Sequence, residues 1–255
     1  MMLQFPDVTI TFLLVAALGV LLIGISKAGF GGGLGALATP ILAMVMPATT
    51  AVAVLLPLLL VMDALGIWTF RKQFDRRVLK TIIPGAILGM LLGWAFFGLV
   101  NPLYVKAVLG IECILFALMR LIKAKQISAA PAREPSMVLG VFFGSLSSFA
   151  SFISHAGSPP MLQYTLPLKL EKAVLVGTMT IFFTFVNFIK LLPYSHLGLL
   201  NTSNFGTSLM LLPVVPIGYW LGIKALRGIS DYYFQKILTW ALLITGIKLL
   251  WDVVK

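Results

Sequence analysis

A lysine and a run of glycines lie together inside apolar sequence near the start of this chain. Lys27 is followed closely by Gly31, Gly32 and Gly33. A cation at membrane depth is costly and marks a functional site, and free backbone N–H groups at the start of a helix bind anions with help from the helix dipole. We therefore predict half of an anion site here. Two alternatives stay open: Lys27 snorkels to an interface along its stem, or the glycines only allow tight helix packing.

A second polar interruption, in the later part of the chain, has a different composition and reads His155-Ala156-Gly157-Ser158-Pro159-Pro160. We predict that Ser158 is the N-cap of a short helix whose first position is Pro159. Backbone N–H groups near Gly157 and Ser158 would then point toward the same anion. His155 would donate to that anion or relay a proton. The alternative is a structural histidine bonded to a backbone carbonyl.

Four further polar residues within apolar segments are candidates for the same site. Thr39 and Gln163 follow the two interruptions and would contribute a polar wall to the substrate-binding site. Asp63 and Glu112 are intramembrane carboxylates and are candidates for proton coupling. The alternatives are an ion pair or helix–helix hydrogen bond that supports the scaffold for Asp63, and burial in the protonated form for Glu112.

The composition requires a membrane around these residues. The 255 residues are 60% hydrophobic and 11% charged, against roughly 25% charged in soluble domains, so the chain is an integral membrane protein. The net charge of +11 falls in short loops, where it sets topology, and no compact basic face is available for nucleic acid. We find no metal-ligand cluster, cofactor motif or catalytic motif, and the single cysteine excludes an intramolecular disulfide. We therefore expect no enzyme, no metal and no cofactor.

The apolar segments predict an all-α membrane protein in which each half is one broken, re-entrant helical hairpin plus three transmembrane helices. The first hairpin enters over Val8–Ile25, turns at Ser26–Gly33 and returns over Leu34–Met46, and the second uses Met137–Ile153 and Met161–Leu168. The predicted spans are Thr49–Phe70, Thr81–Val100, Tyr104–Ile122, Ala173–Leu192, Phe205–Ile223 and Tyr233–Val254.

Three smaller features accompany these elements. Gly85, Gly89 and Gly93 repeat at four-residue spacing, which lets a neighbouring helix approach closely. Lys190 and Lys248 lie near the ends of predicted spans, and we expect both to snorkel to an interface.

The halves resemble each other, which predicts two repeats: residues 1–122, a cytoplasmic linker at 123–136, and residues 137–255. Gly33 and Gly157 are 124 residues apart, as are Asp63 and Asn187. A hairpin returns the chain to its starting side and three spans change it, so the second half begins on the opposite side. Such inverted repeats are common in secondary transporters. Most of the 19 lysines and arginines then lie in cytoplasmic loops, as the positive-inside rule requires.

The pair of motifs Gly29–Gly33 and His155–Pro160, with Tyr164–Leu168 and Val176–Thr178 after the second, resembles the TauE/SafE sulfite and sulfonate exporter family. The resemblance covers the chain from about Val15 to Trp251. By position, the family's glycine-rich and proline-containing hairpins correspond to Gly29–Gly33 and Gly157–Pro160, and Ser158 stands where many relatives have glycine.

The resemblance implies a multi-pass protein of the bacterial inner membrane that moves small sulfur-containing anions, often outward. We expect a secondary transporter that exports sulfite or a short organosulfonate by alternating access. A passive anion channel or an intramembrane enzyme is the alternative. We expect a lipid bilayer around the protein, and a homodimer is one assembly that the sequence allows.

Overall fold

The computed structural model describes residues 9–32, 35, 38–96, 102–123 and 131–254, and within these ranges the chain is helical with no strand. A 3-10 turn at Leu166–Leu168 follows the helix that ends at Thr165. The α-helices are α1 (Ile10–Phe30), α2 (Ala38–Leu42), α3 (Ala48–Phe70), α4 (Arg76–Ala95), α5 (Pro102–Ile122), α6 (Met137–Ser154), α7 (Ser158–Thr165), α8 (Lys172–His196), α9 (Thr202–Leu211), α10 (Val214–Gly228) and α11 (Asp231–Val254).

The prediction of an all-helical membrane protein is confirmed. Six of the described helices, or seven spans when α9 and α10 are joined, are long and apolar enough to cross a membrane. One predicted span is wrong in shape: the segment Phe205–Ile223 is not one straight helix, because α9 and α10 meet at a 50° bend. The break lies at Leu212 and Pro213, where proline removes a backbone donor and its ring clashes with the preceding turn.

The bounds of the hairpin helices differ from those predicted from the sequence. Helix α1 continues through Lys27 to Phe30, so the turn does not begin at Ser26, and in the described part of the first returning arm the α-helix is α2. At a rise of about 1.5 Å per residue, α2 and α7 are roughly 8 and 12 Å long, well short of a hydrocarbon core of about 30 Å. The entering helices α1 and α6 are long enough to span.

Four helix pairs make the most extensive contacts: α1 with α10, α4 with α6, α3 with α8, and α5 with α11. Exchanging the two halves of the chain maps α1 onto α6 and α4 onto α10, so the first two pairs exchange with each other. The same exchange maps α3 onto α8 and α5 onto α11, so the other two pairs map onto themselves. Two related halves would pack in this pattern; that they are inverted across a membrane stays a prediction.

Close backbone contact between α4 and α6 confirms the role predicted for the glycine stripe. A Cβ added at Gly85 would lie 2.2 Å from the carbonyl oxygen of Val141, and one at Gly89 would lie 2.0 Å from that of Ser145. Gly93 continues the same face one turn later, against an aromatic ring of α6. Larger residues at these positions would force the helices apart.

Three basic regions that the charge distribution predicts to be cytoplasmic meet at one end of the helix bundle. They are Arg71–Lys80, Lys169–Lys172 and Lys224–Lys236. The backbone N–H of Asp75, after α3, donates to Oγ1 of Thr178 near the start of α8 at 2.9 Å. Lys172, at the first position of α8, donates to the carbonyl of Ile229 and lies 3.8 Å from the Asp231 carboxylate at the start of α11. These loops therefore lie on a common side of the bundle, as the charge distribution requires.

Candidate functional site

Both hairpins turn through a residue in the left-handed region. Gly31 follows α1 at φ 58° and ψ 27°, and His155 follows α6 at φ 54° and ψ 20°. The two positions are 124 residues apart, the offset that relates the halves. Glycine takes this conformation freely, but a histidine there is uncommon and costs strain. The second half therefore keeps the turn while placing an imidazole where the first half has no side chain.

The tips of the two hairpins touch each other. A Cβ added at Gly32 would lie 2.6 Å from Oγ of Ser158, so the glycine is required for this contact. Beside it, Oγ1 of Thr39 on α2 donates to the carbonyl of Ser154 at the end of α6 at 2.8 Å. The returning arm of the first hairpin is thus bonded to the entering helix of the second.

A small polar cavity of about 30 Å³ lies where the tips meet. This volume is close to the share of one water molecule in the liquid. Its walls come from both halves and combine polar groups with three apolar side chains. They are formed by Ile23, Lys27, Gly32, Gly35, Leu59, Ser151, His155, Ser158, Phe183 and Asn187.

Lys27, at the edge of this cavity, has a carboxylate partner. Its Nζ lies 2.6 Å from Oδ1 of Asp63 on α3, and both side chains are buried, with 8% and 2% exposed. The other carboxylate oxygen accepts a hydrogen bond of 2.8 Å from Nδ2 of Asn187 on α8. Lys27 therefore does not snorkel to an interface. Asp63 is an ion-pair partner, the alternative considered for it, and that pair lies at the tips.

A second lysine lies directly behind the cavity wall. Lys190 on α8 is fully buried, so the expectation that it snorkels from a span end is wrong. Helix α8 continues past the predicted boundary to His196, and this places Lys190 well inside it. Its Nζ contacts the carbonyl of Ser151 at 2.7 Å, Oγ of Ser151 at 2.8 Å, Nδ1 of His155 at 3.0 Å and Oδ1 of Asn187 at 3.4 Å.

His155 has the carbonyl bond that its structural alternative predicts, and its role toward an anion stays a prediction. Its ring lines the cavity, and its Nε2 lies 2.9 Å from the carbonyl oxygen of Val52 on α3. Since a carbonyl only accepts, Nε2 donates. The histidine is thus bonded to a carbonyl and also faces the space between the tips.

The predicted glycine donors of the first tip are occupied in this structure. The N–H groups of Gly31 and Gly32 both donate to the carbonyl of Ser26, as in the common glycine-ended helix C-terminus. They end α1 rather than begin a returning helix, which contradicts the expectation of free N–H groups there. Gly33 lies outside the described residues.

Of the other residues predicted for the site, some line the cavity and others do not. Ser158 lines the cavity as the first helical residue of α7, so it is not the N-cap; Gly157 has that place. The Gly157 carbonyl accepts from Oγ of Ser147 at 2.6 Å. Thr39 joins the two hairpins instead of lining the cavity. Gln163 lies away from the cavity walls, and its buried Nε2 has no hydrogen-bond partner in the described part of the chain.

Glu112 lies on α5, and its side chain is outside the described residues. The sequence interpretation missed two residues that the structure brings to the site, Ser151 and Lys190. A signal for each was present: Ser151 is 124 residues after Lys27, and Lys190 follows Asn187 by one helical turn on the same face.

The family model described as "Sulfite exporter TauE/SafE" matches residues 16–249, nearly the whole chain. The chain belongs to this family. TauE/SafE membership together with the apolar helices makes it a multi-pass membrane transport protein, and it confirms the resemblance carried by the two tip motifs. No similar curated protein and no similar solved structure was found.

Proposed function

We propose that this protein is a secondary transporter that exports small sulfur-containing anions, such as sulfite or short organosulfonates, across the bacterial inner membrane by alternating access. One observation carries the proposal: the two hairpin tips meet around a buried polar cavity with Lys27, Ser158, His155 and Asn187 in its walls. Buried cations and donors of this kind inside a membrane protein mark substrate pathways.

The arrangement of the halves supports alternating access. The exchange-symmetric helix pairs and the common side of the loops after α3, before α8 and before α11 support our proposal of an inverted repeat, with units 1–122 and 137–255 joined by a cytoplasmic linker at 123–136. In such transporters one repeat or helix bundle moves against the other about a central site. A cavity of about 30 Å³ is too small for a sulfonate group, so binding requires the tips to separate.

The residues predicted for the site from the sequence have the following roles in this proposal. Lys27 supplies charge, while Ser158 and His155 supply polar groups from the second tip. Pro159 and Pro160 have no N–H, so Ser158 offers the donors of the first turn of α7 through its N–H and its hydroxyl. Gly31, Gly33 and Gly157 would allow the tips to approach the substrate, and Thr39 and Gln163 would border the path. Asp63 is the candidate for coupling, with Glu112 as a second carboxylate.

Flux in proteoliposomes tests the transport function. Purified protein should move sulfite or a short sulfonate with saturation and with counterflow, where a passive channel would show neither. Lys27→Ala and His155→Ala should abolish the flux. Unchanged flux in both variants would remove the site assignment and leave the transporter intact. Absence of flux for sulfite, sulfate, thiosulfate, taurine and sulfoacetate would refute the function.

A cross-link between the tips tests the mechanism separately. Thr39 and Ser154 are joined by a hydrogen bond of 2.8 Å between the hairpins, and Cys113 is the only cysteine. In a Cys113→Ala background, Thr39→Cys combined with Ser154→Cys should stop flux on oxidation and regain it on reduction. Each single cysteine variant serves as the control and should ignore the oxidant. Flux that persists in the cross-linked protein would rule out separation of the tips.

A further inference from the structure

The buried charges of this protein belong to one connected group. Within the described ranges, the lysine, arginine, aspartate, glutamate and histidine side chains that are buried are Lys27, Asp63, His155 and Lys190. Lys27 pairs with Asp63, Asn187 connects Asp63 to Lys190, and Lys190 contacts His155. The charge of the site is therefore the sum over these four groups.

Hydrogen bonds determine which of the four carry a proton. His155 donates through Nε2 to the Val52 carbonyl, and its Nδ1 faces the Nζ of Lys190 at 3.0 Å. Opposite a lysine ammonium, which can only donate, Nδ1 is the acceptor of a neutral ring. The Nδ2 of Asn187 is directed at Asp63, which leaves Oδ1 as the acceptor that faces Lys190.

Lys190 consequently has three partners that can only accept: the Ser151 carbonyl, the Asn187 Oδ1 and the His155 Nδ1. Three such partners use the three N–H bonds of an ammonium, and a neutral amine has two. These three acceptors therefore match a protonated Lys190, and none of its partners carries a negative charge.

The charges then sum to one positive charge in excess. Lys27 and Asp63 cancel, His155 is neutral, and the ammonium of Lys190 is left without a counter-charge in the described part of the protein. A buried ammonium without a counter-charge is costly. Lys190 does not line the cavity, but it contacts Ser151, His155 and Asn187, which do. An anion in the cavity would supply the missing charge across this one layer of side chains.

We propose that the site selects anions with a single negative charge, and that Lys190 is the positioning residue that sets this selection. The inference rests on the proposed function and adds the charge class of its substrate. Alkyl sulfonates and hydrogen sulfite fall in that class, whereas sulfate and the sulfite dianion do not. The desolvation cost of an ion grows with the square of its charge, while its attraction to a fixed excess charge grows in proportion to it. A site with one excess positive charge therefore favours the monoanion.

Methanesulfonate and sulfate are suitable probes, because both are compact tetrahedral anions and they differ by one charge. Their affinities for the purified protein in detergent can be measured by calorimetric titration at low salt. The wild-type protein should bind methanesulfonate more tightly than sulfate. Sulfate binding as tight as or tighter than methanesulfonate binding in the wild type would overturn the proposal without any variant.

Three variants change the charge in steps. A unit charge about 8 Å away, at an effective dielectric constant of about 20, changes the affinity for a monoanion by about 30-fold. Asp63→Asn raises the excess to two and should shift the sulfate-to-methanesulfonate affinity ratio toward sulfate by about that factor. Lys190→Met removes the excess and should weaken methanesulfonate binding by about 30-fold.

The double variant separates charge from hydrogen bonding. Lys190→Met with Asp63→Asn restores one excess charge on Lys27, so methanesulfonate should bind about 30-fold more tightly than to Lys190→Met alone. No recovery in a folded double variant, or an unchanged affinity ratio in Asp63→Asn, would overturn the proposal. If every anion fails to bind and to be transported, the proposed function fails and the charge selection fails with it. Transport with sulfate preferred would remove the charge selection alone.

Discussion

Removing one partner of the Lys27–Asp63 pair should destabilise the protein more than removing both charges. The two atoms are 2.6 Å apart, and the side chains are 8% and 2% exposed. Lys27→Met leaves a buried carboxylate with Asn187 as its hydrogen-bond donor, and such a loss costs about 3–5 kcal/mol. Lys27→Met combined with Asp63→Asn leaves two neutral groups, and we expect it to recover most of that loss, because neutral replacements of buried pairs are often tolerated.

Thermal stability of the detergent-solubilised protein measures this difference. For a chain of about 150–250 residues, each kcal/mol shifts the melting temperature by about 2–4 °C. Lys27→Met should therefore lower the midpoint of loss of monodisperse protein by roughly 6–20 °C. The double variant should melt between Lys27→Met and the wild type.

Lys248 offers a matched control on α11. It forms an ion pair with Asp252 one turn later, and its side chain is 41% exposed, so Lys248→Met should cost less than about 1 kcal/mol. If Lys27→Met melts like Lys248→Met, the pair at the tips is not a buried pair of the strength that its geometry indicates. A double variant that melts below both single variants at positions 27 and 63 would refute the reasoning in the same way.

Three further predictions concern backbone positions and are checked by size-exclusion chromatography after heating, with flux added for the last. Gly89→Ala places a Cβ 2.0 Å from the Ser145 carbonyl and should prevent recovery of monodisperse protein, whereas Gly228→Ala, whose Cβ meets nothing within 4 Å, should be neutral. Gly32→Ala, at φ 85° with a contact of 2.6 Å, should lower the melting temperature more than Gly35→Ala, whose nearest contact is 3.7 Å. His155→Gly should be more stable than His155→Ala by about 1–2 kcal/mol, because the position is left-handed, and both should lose flux; flux retained in either would exclude the imidazole from the site.

Local signals in the sequence were sufficient for most of the helices. The long apolar segments predicted the helices, and the glycine spacing in α4 predicted its close contact with α6, because both depend on residues within one element. The two interruptions predicted the hairpins for the same reason. The bend between α9 and α10 was missed although Pro213 and Pro216 mark it, since an apolar segment of spanning length also fits one straight helix.

Local patterns in the sequence could not predict which charged residues of the site pair with each other. Lys27 and Asp63 lie on different helices, and either could have had another partner. Lys190 was misplaced by an error of a few residues at the end of α8: a boundary at Leu192 puts it at an interface, and the observed end at His196 puts it inside. The prediction of free N–H groups at Gly31 and Gly32 was wrong because a glycine run ends a helix as readily as it begins one.

The distribution of bonds between the halves indicates how the tips can separate at low cost. Lys27 and Asp63 are both in the first half, and the partners of Lys190 that hold it most closely, Ser151 and His155, are in its own half. Separation of the two tips therefore leaves the ion pair and these contacts intact.

The bonds of this cluster that cross between the halves join Asn187 to Asp63, His155 to Val52 and Thr39 to Ser154. Each such bond contributes a net of about 0.5–1.5 kcal/mol, or about 1.5–3 where one group is charged. Their total is a few kcal/mol, the scale that separates interconverting conformations. A transporter needs this division, because charges held by partners within one half keep the site intact while the few hydrogen bonds between the tips let it open. Cross-linking positions 39 and 154 replaces one of those weak bonds with a covalent one, and if the halves still exchanged the site after that, the division of bonds would have no bearing on opening.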